Sequence, residues 1–69
     1  MNQKEYNLIG SVIRGRKENA AQSYHFGYSQ KEIEGMLLVI QDLEDHMASE
    51  LHRTYDSFDL AKFREACTL

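Results

Sequence analysis

The densest gathering of chemically capable side chains lies between residues 14 and 28. Arg14, Arg16 and Lys17 form a basic run, followed by Tyr24, His25, Phe26 and Tyr28. Cations close to aromatic rings can hold a phosphate-bearing ligand or a single-stranded base. The same residues have a plainer use: cations at a helix end satisfy its last carbonyls and oppose its dipole, while the rings cap a small core. The lack of a Gly-rich phosphate loop and the acidic balance of the chain favour the plainer use. Asp42, His46 and Glu50 recur at four-residue spacing on one helix face. Zinc needs roughly three or four converging ligands, and this helix face supplies one histidine. Local side-chain pairs on a solvated face are the expectation, with no metal and no cofactor. His25 and His52 have no partner at a recognisable spacing and are expected at the surface. Cys67 would need a neighbouring base to act as a nucleophile. On the inner side of a docking helix it behaves instead as a small buried apolar residue. Glu44 falls inside an apolar stripe, where a lone charge is strongly unfavourable. It should sit at the core's edge or pair with Arg14, Lys62 or Arg64. No catalytic residue is assigned, and the chain is expected not to be an enzyme.

Three helices must position these groups. Asn2 is a helix N-cap with Glu5 placed to reach back to it, a box-like arrangement. Tyr6, Ile9 and Ile13 then follow at helical spacing, with Leu8 and Val12 widening the stripe. Gly10 and Gly15 weaken this helix, by about 1 kcal/mol each relative to alanine. Gly10 is a candidate for a close helix crossing. Gly15 is one candidate stop, and Ala20, Ala21 and Tyr24 could carry the stripe to about residue 23. The second start is a capping box, Ser29-Gln30-Lys31-Glu32, with Tyr28 and Ile33 spaced as a hydrophobic staple. Ile33, Met36, Leu37, Ile40, Leu43, Met47 and Leu51 give this helix its apolar stripe, running to about Arg53. The third start is Asp59, with Phe58 and Phe63 at staple spacing. This helix is short, about Leu60 to Cys67, and must dock through Phe58 and Phe63, because so few turns have little stability alone. The expected fold is all-α: an antiparallel hairpin of two longer helices with a short C-terminal third helix, in one domain spanning residues 1–69.

Met36 to Ile40 reads Met-Leu-Leu-Val-Ile, apolar on every side of a helical turn. A chain this small buries roughly 60% of the surface its unfolded form exposes, which leaves little core to hide such a turn. Small domains usually need a disulfide, a metal or oligomerisation. The single cysteine excludes an internal disulfide, and no Cys/His cluster has zinc spacing. A homo-oligomer, a two-fold dimer first of all, is therefore expected, with Met36, Leu38 and Val39 at or near the contact.

The formal net charge is −3, from 8 basic and 11 acidic side chains. That balance argues against a nucleic-acid binder, which carries a basic face. No apolar run is long enough to span a membrane, and the opening residues lack the charged-then-apolar layout of a signal peptide. With one free cysteine, a reducing cytoplasm is the expected setting.

Two short patterns carry a family resemblance. Tyr6-x-x-Ile9-x-x-x-Ile13-Arg14 near the start, and Phe58-Asp59-x-x-Lys62-Phe63-x-x-Ala66-Cys67 at the far end, resemble small uncharacterised proteins of tailed phages and prophages. In those proteins an opening Tyr-x-x-Ile helix and a closing Phe-Asp-x-x-Arg/Lys-Phe-x-x-Ala-Cys helix flank a variable middle. This chain departs from the pattern at Thr54-Tyr55-Asp56-Ser57, where an Asn-Pro pair is common, and Arg16 to Arg53 carries no resemblance. The resemblance brings no activity with it. It implies a phage-derived accessory protein inside a bacterial cell. The expected function is therefore non-enzymatic binding of a bacterial host protein or complex. The alternative is an oligomeric nucleotide- or phosphate-binding protein using Arg14, Arg16, Lys17, Tyr24, His25 and Tyr28.

Overall fold

The structure, a computed structural model, describes residues 1–69. It is all-α: α1 (Gln3–Ala21), a 3-10 turn (Ser23–Phe26), α2 (Gln30–Thr54) and α3 (Leu60–Cys67). Each helix begins at the cap its sequence advertises. The Glu5 amide donates to Asn2 Oδ1 at 2.9 Å, and the Asn2 amide donates to Glu5 Oε1 at 3.0 Å. Ser29 and Glu32 exchange the same pair of bonds at 3.2 and 3.0 Å. Asp59 Oδ1 accepts from the Lys62 amide at 3.1 Å. Each bond satisfies an amide of the first turn that has no partner inside the helix.

Gly15 does not stop α1, which runs on to Ala21. The chain reverses instead at Gly27, whose φ of 89° lies in the left-handed region that other residues avoid. The return is antiparallel. Lys17 of α1 meets Glu44 of α2, and Ser23 Oγ approaches Met36 Sδ at 4.0 Å.

α3 folds back along α1, and Gly10 makes the approach possible. A Cβ at Gly10 would stand 2.7 Å from the carbonyl carbon and oxygen of Ala66, so only glycine lets the two backbones come this close. The start of α3 is anchored by the Asp59 amide, which donates to Tyr6 Oη at 2.6 Å. Tyr6, Ile13, Ala48, Phe58, Phe63 and Cys67 form the core, with Ile9, Ile40, Met47 and Leu51 partly buried against it. The Phe58 ring lies 5.9 Å from Tyr6 and 5.7 Å from Phe63, within the range of favourable tilted aromatic pairs. The Phe58–Phe63 staple is thus closed. At the second start Ile33 is buried but Tyr28 stays exposed.

The buried line of α2 differs from the expected stripe. Ile33, Glu44 and Ala48 are buried, whereas Leu43 is half exposed. Leu43 projects away from the Glu44 and Ala48 side, where the other helices lie. A sequence stripe shows how wide the apolar surface is, and the packing partners select which part of it they cover.

Candidate interaction surface

One polar cluster is built into the fold. The Glu44 side chain is only 3% exposed. It accepts from Lys17 Nζ at 2.7 Å and from Arg64, which also reaches Asp45 Oδ1 at 2.7 Å. Burial alone would raise the Glu44 carboxyl. The hydrogen bonds and charges of Lys17 and Arg64 outweigh it and hold the group below the ordinary carboxylate value. Arg64 was within reach of the sequence; Lys17 was not, and neither Arg14 nor Lys62 takes part. Glu44 joins one residue from α1 to one from α3, so the cluster fastens all three helices. The Cys67 thiol is buried, and burial followed by the nearby Glu44 charge pushes its pKa up. That keeps it protonated, the inert state for a thiol.

The basic and aromatic residues of segment 14–28 are dispersed. Lys17 is engaged by Glu44. Arg14 and Arg16 stand about 160° apart around α1, since each residue advances about 100°. Arg16 lines a groove of about 370 Å³ with Asn19, Ala20, Ser23, Met36, Val39 and Ile40. None of Tyr24, His25 and Tyr28 lines that groove. Tyr24 and His25 stack on each other with ring centres 4.1 Å apart. Tyr24, Phe26 and Tyr28 are exposed at the tip of the hairpin, Phe26 at 83%, so the rings do not cap the core. On α2, Asp42 and His46 form an exposed contact of 3.6 Å, and Glu50 pairs with Arg53. His25 and His52 lie at the surface, with the His52 ring edge against Phe58.

The three expected contact residues divide between two sides of α2. Met36 and Val39 line the groove shared with α1, whereas Leu38 lines a separate one with Glu34, Leu37 and Gln41. Leu38 and Val39 are both about seven-tenths exposed. Leu8, Val12 and Leu43, expected in the apolar stripes of α1 and α2 and not at the contact, are also exposed. Their signal was present: Leu8 and Val12 make the apolar arc of α1 wider than one neighbouring helix can cover. No helix is long and apolar enough to cross a membrane. Compared with known protein families, curated proteins and solved structures, the chain matches none.

Proposed function

We propose that this chain is a non-enzymatic accessory protein of the phage or prophage kind its ends resemble, which acts in the bacterial cytoplasm by binding a host protein or complex. The observation that carries the reading is the large apolar side chains held out to solvent away from the α1–α2 groove, led by Phe26 at the hairpin tip and by Leu38 on α2. Extended apolar exposure of this kind marks interaction surfaces, and aromatic anchors dominate binding energy in many of them. The residues that carry the phage resemblance support the reading indirectly. Tyr6, Ile13, Phe58, Phe63 and Cys67 are core, so they maintain a scaffold and leave the outer surface free to vary with its target.

The test is capture from bacterial lysate with the wild-type chain and with Phe26→Ser, a change at an exposed position that leaves the core alone. Wild type should retain a defined host protein in stoichiometric amount, and Phe26→Ser should retain much less. Equal capture by both would remove the tip from the reading, and no specific capture would remove the reading itself. The nucleotide or phosphate alternative has a separate readout. A ligand present at 100 times its dissociation constant adds about 2.7 kcal/mol, and the expected shift in melting temperature with a nucleotide panel is zero. A saturable shift, lost in Arg14→Gln/Arg16→Gln, would favour that alternative.

A further inference from the structure

One broad side of the hairpin is uncovered. Leu8, Val12, Arg16 and Asn19 recur along α1 at the three- and four-residue spacing of a single helix face. Met36, Val39, Leu43 and Met47 do the same along α2. Arg16 and Asn19 share a groove with Met36 and Val39, so the two stripes lie side by side on one surface. Val12 is 62% exposed, Val39 70% and Leu43 50%. Arg16 interrupts this surface only at its tip, because its aliphatic stem can lie along apolar neighbours while the guanidinium reaches water.

We propose that a second copy of this chain covers this face, giving a two-fold dimer in which the four long helices form two layers. The area supports it. The single chain exposes 5084 Å², about 600 Å² more than the roughly 4,450 Å² expected for a monomeric protein of its mass. Two such surpluses total about 1,200 Å², where stable interfaces begin. The shape agrees. The molecule is elongated, 43 × 19 × 13 Å along its principal axes. Its radius of gyration is 13.3 Å, against about 11 Å for a compact domain of this length. A two-fold contact requires one surface to be complementary to itself. A long apolar face with two adjacent stripes and flexible methionines meets that condition. Leu38 lies in the other groove and stands outside the contact.

This inference extends the protein-binding reading by naming the partner of one face. It is tested on the purified chain alone, so the absence of a host target cannot affect the result. Sedimentation equilibrium at micromolar concentrations should give twice the 8.0 kDa chain mass, and the melting temperature should rise with protein concentration. Val12→Lys/Val39→Lys should sediment as a single chain with its helical circular dichroism kept, because both positions are exposed in the single chain. Leu38→Lys should remain a dimer. A wild-type mass of 8.0 kDa with a concentration-independent melt would overturn the proposal and assign the face to a different molecule. So would dissociation by Leu38→Lys but not by the double variant. If the double variant does not fold, the wild-type concentration series decides alone, since only an associating chain melts higher at higher concentration.

Discussion

Glu44 shows how a single residue can be conspicuous in sequence while its partners stay hidden. A carboxylate inside an apolar stripe announces that cations must meet it. Which cations do so depends on how the three helices are rotated against one another, and Lys17 arrives only because α1 passes through Gly15 without stopping. The cluster has unequal sensitivities. Lys17→Met/Arg64→Met should cost about 3–5 kcal/mol in urea unfolding, the range for a buried charge left without its partners. Glu44→Gln should cost less, about 1–2 kcal/mol, because both cations can turn outward to water. The pH dependence has a definite sign. The folded-state carboxyl of Glu44 titrates below its ordinary value. Its contribution is therefore present at neutral pH and is lost as pH falls below about 4.3, the ordinary glutamate value, toward the folded one. Glu44→Gln should flatten the stability profile in that acid window, and a denaturation series between neutral and acid pH measures it. Cys67 follows the opposite logic, since burial favours its neutral form. It should react with a thiol reagent only as fast as the chain opens.

At the scale of the elements, the three helix starts were legible because capping is local chemistry completed within four residues. Asn2, Ser29 and Asp59 all occupy the positions their spacing implies. The end of α1 was not legible, since a glycine stops a helix only where the chain turns, and here the chain turns at Gly27. Gly10 was legible as a candidate crossing, though not which helix crosses. Its neighbour is the Ala66 backbone, so Gly10→Ala should cost about 1–3 kcal/mol as α3 is pushed away. At Gly35 an added Cβ meets nothing. Gly35→Ala should therefore stabilise α2, by about 0.4–1 kcal/mol. Thermal melts of the two variants should move in opposite directions. Phe63 is fully buried, and Phe63→Ala should cost about 3–5 kcal/mol, enough to unfold a marginal domain or release α3. Tyr6→Phe removes the bond to the Asp59 amide at the start of α3 and should cost about 0.5–1.5 kcal/mol, read from the same unfolding curves.

Across the whole molecule the core is uneven. Tyr6, Phe58, Phe63 and Cys67 cluster at the end where α3 docks, while the turn end holds only Ala20 and Ile33 in buried positions. Local stability follows the density of buried apolar contact. Amide exchange should therefore be slowest around Tyr6 to Ile13 and Glu44 to Leu51, and fastest from Gln22 to Gln30. Comparing wild type with Val12→Lys/Val39→Lys by hydrogen exchange adds a second reading of assembly. Loss of the covering copy should speed exchange near Val39 more than near Phe63.

The sequence by itself determined the helical class, the three starts, the short docking helix and the presence of more apolar surface than one small chain can bury. All of these rest on spacing and capping, which act over a few residues. The tertiary structure decided which apolar residues remain outside. Leu43 passed from the expected core to the free face, Lys17 passed from a candidate ligand patch to the Glu44 cluster, and Leu38 and Val39 parted to separate grooves of α2. Each of these turns on helix rotation and on how closely backbones approach. Here the contacts among Gly10, Ala66, Lys17, Glu44 and Arg64 set that geometry, and they join residues far apart in the chain.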